Sequence, residues 1–105
     1  NGFNSLARGV DLGGEALSVS IKRLMIDALK PREVNIVDLS KALCQVHGTQ
    51  EADVVVTEVN AKTETIKVVV RGADIDYEGM VKTMNDFGAS IRGVDEVNIY
   101  RKGVP

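Results

Sequence analysis

One cysteine, Cys44, in a chain of 105 residues excludes an internal disulfide. One histidine, His47, leaves nothing from which to assemble a Ser-His-Asp constellation. Aromatic residues are scarce. They are Phe3, Tyr77, Phe87 and Tyr100, and only Tyr100 falls in an expected strand, at an edge, which disfavours the base-stacking platform used to hold single-stranded RNA. Positive charge is not in excess either: 13 Lys and Arg against 15 Asp and Glu give a net charge of −2, so duplex DNA held chiefly through its phosphates is not expected. No apolar run approaches the ~18 residues that a membrane span requires, and no charged-then-apolar signal segment is present. These absences point to a soluble cytoplasmic protein without a DNA or membrane partner.

What is present, 44% apolar and 27% charged residues, is the composition of one ordinary globular domain. Residues 1–19 hold Gly2, Gly9, Gly13 and Gly14 and show no useful periodicity; they are expected to be a flexible leader, with 20–101 the domain and 102–105 a short tail. The tract Asp11-Leu12-Gly13-Gly14-Glu15 lacks the Lys and Ser/Thr of a phosphate loop.

From Ser20 the pattern becomes regular. Lys22 to Leu29 alternates Leu24, Ile26 and Ala28 with Arg23, Met25, Asp27 and Leu29, the two-residue period of a strand, and Pro31 stops it. Asn35 then caps an amphipathic helix with Ile36, Leu39, Leu43 and Val46 on one side and Gly48 just past its end. Asp53–Asn60 and Thr65–Arg71 are valine-rich and joined by Ala61-Lys62-Thr63-Glu64, which reads as a β-hairpin. Asp76 opens a second helix carrying Met80, Val81, Met84 and Phe87, closed by Gly88, and Ser90–Tyr100 supplies a last strand.

The order βαββαβ predicts an α+β, ferredoxin-like two-layer sandwich: a four-stranded antiparallel sheet in the order 4-1-3-2 with both helices on one face. The helix side is expected to hold Leu24, Ile26, Val54, Val56, Ile66, Val68, Val70, Val97 and Ile99 against Leu39, Leu43, Met84 and Phe87. The opposite side is bare. There Arg23, Met25, Val55, Thr57, Val59, Lys67, Val69 and Arg71 read as a surface through which the chain associates with copies of itself, in a ring or another oligomer, because a small domain gains most from added burial. A solvated antiparallel sheet with scattered valines is the plainer reading.

Three stretches resemble a known family: Arg23-Leu24-Met25-Ile26-Asp27-Ala28-Leu29-Lys30-Pro31, Thr63-Glu64-Thr65-Ile66-Lys67-Val68, and Asp74-Ile75-Asp76-Tyr77-Glu78 through Gly88 to Val94-Asp95-Glu96-Val97. Together they are similar to the small, mainly archaeal family called domain of unknown function 211, over about Ile21 to Tyr100. The resemblance implies a ferredoxin-like fold, assembly into higher homo-oligomers and no established activity. In the family pattern a histidine follows the Lys-Pro pair and another precedes the Val-Asp-Glu-Val piece; here Arg32 and Arg92 stand in those places, which removes the basis for a histidine metal site.

Two ligand sites remain as alternatives, of the kind found in small amino-acid-sensing regulatory domains. Lys30, Arg32 and Arg92 are expected near one sheet edge, beside the start of the first helix, where they could grip a small anion. Surface pairing with Glu33, Asp38 and Asp95 is the competing account. Asp27, Asp95 and Glu96 could offer oxygen ligands to a divalent cation. Cys44, inside the first helix, reads as an inert thiol rather than a nucleophile. No catalytic constellation emerges and no cofactor is expected, so a non-enzymatic scaffold or regulator is the leading reading.

Overall fold

The computed structural model of the chain describes residues 9–12 and 15–102. Its elements are β1 (Gly9–Leu12), β2 (Glu15–Pro31), α1 (Ile36–Cys44), β3 (Thr49–Val59), β4 (Thr63–Gly72), α2 (Tyr77–Asp86) and β5 (Ser90–Lys102). Local chemistry sets the helix ends. The Asn35 side chain accepts hydrogen bonds from the amides of Val37 (2.6 Å) and Asp38 (3.4 Å), satisfying donors that the first turn of α1 would otherwise leave open. Asp76 does the same for α2 by accepting from Gly79 N at 3.2 Å. Beyond α1 the chain reverses through Gly48 at φ +84°, and a Cβ there would lie 1.8 Å from the Asp74 carbonyl oxygen, so neither the backbone angle nor the space admits a side chain.

Every strand pairing is antiparallel. β2 is central, with β4 on one side and β5 on the other, and β3 lies outside β4. Counted from the β3 edge, the four long strands come second, third, first, fourth (2-3-1-4). The expected 4-1-3-2 differs from this in being written from the other edge. What the expectation lacked is a fifth strand. β1 pairs with Glu15–Ser18 of β2, so Gly9–Leu12 and Glu15–Val19 are strand where a leader was expected. Backbone pairing needs little side-chain periodicity, and glycines obscured what there was. Residues 1–8 and 13–14 of that leader, and 103–105 of the expected tail, lie outside the described residues. Lys102 belongs to β5. This α+β arrangement is consistent with a ferredoxin-like fold.

The core sits between sheet and helices: Leu24, Ile26, Ala28, Ile66, Val68 and Val70 from β2 and β4, against Leu39, Leu43, Met80 and Met84. Val54, Val56 and Phe87 pack against it while partly exposed. Val97 and Ile99 correct the expected core. They stand opposite Leu24 and Ile21 in register but are 48% and 54% exposed. Helices of nine and ten residues are only about 15 Å long; they shelter β2 and β4 and leave the β5 margin open. Ile75, just before α2, and Ala89, just after it, complete the core instead.

Candidate functional site

The helix-free face is built by the strand period. Because Leu24, Ile26 and Ala28 turn toward the helices, Arg23, Met25, Asp27 and Leu29 turn away. Register then sets Arg23 opposite Arg71, Met25 opposite Val69 and Asp27 opposite Lys67, with Val55 opposite Lys67 on the next strand. Six of the eight expected interface residues, Arg23, Met25, Val55, Lys67, Val69 and Arg71, therefore share this face.

Thr57 and Val59 depart from it. The register shift between Val56 and Glu58 leaves Thr57 without a cross-strand partner and places Val59 opposite Glu64, in phase with the helix side. Thr57 Oγ1 instead donates to the Thr65 carbonyl at 3.3 Å.

The charges on the face are matched within one chain. Arg23 pairs with Glu96 and Lys67 with Asp95. Arg71 Nη1 lies 3.0 Å from Asp53 and 3.5 Å from Glu51, and Arg92 Nε lies 3.5 Å from Asp27. The hydrogen bond that the Lys67 ammonium donates to Asp95 holds its pKa above the ordinary value, loss of hydration opposes this, and the fields of Asp95 and Asp27 reinforce it. Lys67 is thus a fixed positive charge across the neutral range.

The same matching involves the three carboxylates of the expected cation site. Asp27, Asp95 and Glu96 each answer a different cation, Arg92, Lys67 and Arg23 in turn. Among the described residues no three His, Cys, Asp or Glu side chains gather to hold a metal ion. Cys44 is half-buried in α1 and His47 is exposed in the turn beyond it.

The expected anion trio is likewise dispersed. Lys30 is 1% exposed and in phase with the core side of β2. Its ammonium meets Glu64 Oε1 at 2.5 Å and donates to the carbonyls of Val34 (2.6 Å) and Pro31 (3.1 Å), so all three of its protons have acceptors. Arg32 is exposed in the turn after β2, where its amide donates to the Lys62 carbonyl at 3.0 Å. Arg92 is on the opposite face with Asp27. Topology brought the three to one end of the sheet, but side-chain phase separated them across its thickness. Lys30 is a tie between β2, β4 and the approach to α1.

At the other end of the helix-free face lies a group that sequence reasoning did not assemble. The register places Glu51, Arg71, Arg23 and Asn98 in one row across four strands. Beside this row Lys22 sits 5.1 Å from the centre of the Tyr100 ring, in cation–π range. An open groove of about 390 Å³ is lined by Lys22, Arg23, Gln50, Glu51, Arg71, Gly72 and Asn98. The signal was present in the alternation of Arg23 and Arg71; what was missing was the register that sets them side by side.

Comparison with known proteins agrees on kinship. Residues 22–104 match the profile of the DUF211 family, described as uncharacterised ArCR proteins. The chain is also similar to an uncharacterised protein of Methanocaldococcus jannaschii, 30% identical over 82 residues that make up 78% of this chain and 84% of that protein.

Proposed function

The chain belongs to the DUF211 family, and from that premise, which brings no activity with it, we propose that it is a non-enzymatic homo-oligomeric module of the cytoplasm, a scaffold or regulator whose copies meet through the helix-free sheet face. The observation that carries this reading is the face itself. Met25, Leu29 and Val69 are half-buried there and Val55 is 56% exposed, between charges that already have partners. Covering these four ion pairs strands none of their charges, and a stranded charge is the main penalty for burying ions.

Its size also suits the role. Four strands about 4.8 Å apart and some ten residues long make a footprint of roughly 600 Å², near the ~800 Å² per partner of a standard interface. No helix among the described residues is long and apolar enough to cross a membrane.

Light scattering at micromolar concentration tests the proposal. The expected mass is that of several subunits, and Val55→Lys together with Met25→Glu should bring it down to that of one chain. A wild-type protein that stays monomeric throughout this range overturns the reading.

A further inference from the structure

We propose that Lys22, Arg23 and Arg71 form a binding site for a small oxyanion, a phosphate or carboxylate group, at the end of the helix-free face where β3 begins and β4 ends. The site stands on the geometry of a single chain and does not rest on self-association.

Arg23 and Arg71 are direct cross-strand partners. Like charges in that position repel, and the neighbouring carboxylates relieve the repulsion only from the outer sides: Glu96 of β5 on Arg23, Asp53 and Glu51 of β3 on Arg71. Each of these ion pairs uses Nη1 of its arginine. A guanidinium carries five N–H donors in a rigid fork, and among the described residues Nε and Nη2 of both side chains hold no carboxylate, which leaves them for a ligand.

Lys22 adds a third cation: the β2–β5 register shifts between Ile21 and Arg23, which breaks the two-residue phase there, and Lys22 lines the same groove as Arg23. It leans on the Tyr100 ring and has no carboxylate partner among the described residues. The groove these residues line contains three cations and one carboxylate, Glu51, with the amides of Gln50 and Asn98 at its sides, on a protein whose net charge is −2. An oxyanion between the two arginines would take charge-assisted hydrogen bonds from both and offset their mutual repulsion. The groove, about 390 Å³, also has room for a small substituent on that anion.

The test is calorimetric titration of the full chain at fixed ionic strength with potassium phosphate and, separately, potassium acetate, using potassium chloride as the blank. Saturable heat is expected with at least one. Phosphate alone identifies a phosphate site, and acetate alone or both ligands identify a site that accepts carboxylates. Arg71→Gln should weaken binding about tenfold, the scale of one lost charge-assisted hydrogen bond. Lys22→Gln, which breaks no ion pair, should weaken it less, and Glu51→Gln, which removes the competing carboxylate, should strengthen it. Arg32→Gln, at the far end of the sheet, should change nothing. Should Arg71→Gln fail to fold, the Lys22 and Glu51 variants decide, since they move the affinity in opposite directions. Absence of saturable heat with both anions, or binding indifferent to these three substitutions, overturns the site.

Discussion

Lys30→Met removes an ammonium and keeps the length of the side chain, which makes it a clean probe of the tie at the end of β2. The lysine is 1% exposed, and its loss leaves Glu64 and the carbonyls of Pro31 and Val34 without their donor. Breaking a buried ion pair from one side costs about 3–5 kcal/mol. The Glu64 side chain retains 18% exposure, so water recovers part of its solvation and a loss near the lower bound, about 3 kcal/mol, is expected. Against a total stability of roughly 5–10 kcal/mol for a domain of this size, that is a large fraction, corresponding to a fall in Tm of roughly 12–24 °C. Urea denaturation of wild type, Lys30→Met, Glu64→Leu and the double variant gives the coupling directly. With both partners removed no charge is stranded, so the double variant should be more stable than the sum of the single losses implies, with a coupling of about 2 kcal/mol. A Lys30→Met loss below about 0.5 kcal/mol, with no coupling to Glu64, would refute the account of Lys30 as a structural tie and return it to the pool of available cations.

Two further outcomes test the packing. Leu24→Ala should cost about 2–5 kcal/mol, as for a large side chain removed from a closed core, whereas Val97→Ala, directly opposite in register but 48% exposed, should stay within about 1 kcal/mol; similar losses in thermal melts would contradict the open β5 margin. Gly48→Ala should destabilise by more than the ~1–2 kcal/mol of left-handed strain alone, because the added Cβ also meets the Asp74 carbonyl; a melt within 1 °C of wild type would refute that turn geometry.

Much of the fold is legible in the residues because several local signals agree. The alternation around Leu24 and Ile26, the cap at Asn35, the glycine at position 48 and the valines of β3 and β4 each favour the element that forms. The interface face was legible to the same extent, as far as the two-residue period runs unbroken. It fails at Thr57 and Val59, where one additional residue in β3 inverts the phase; no composition rule marks that spot. The dispersal of Lys30, Arg32 and Arg92 has a related reason. Lys30 was assigned by its place in the chain, but as an even-numbered residue of β2 it shares the side of Ala28 and Ile26, and a buried ammonium must find acceptors. The grouping of Lys22, Arg23 and Arg71 needed the opposite information, a pairing register between strands almost fifty positions apart, which periodicity within either strand does not contain.

The central place of β2 has a kinetic consequence. Its two long neighbours come from far along the chain: Arg23 meets Arg71, and Ser18 meets Lys102. Only β3 with β4, and β1 with β2, join as adjacent hairpins. High sequence separation between partners slows folding, because loop closure must precede the contacts that reward it. The hairpin of β3 and β4 can form early, but the first long strand acquires its second neighbour only when the last one arrives. Until then the edge of β2 destined for β5 is unpaired, and a nascent or truncated chain lacking β5 presents it as a template for intermolecular strand addition. Expression and refolding should therefore depend strongly on the integrity of β5, although Val94, Val97 and Ile99 in its second half stay largely exposed.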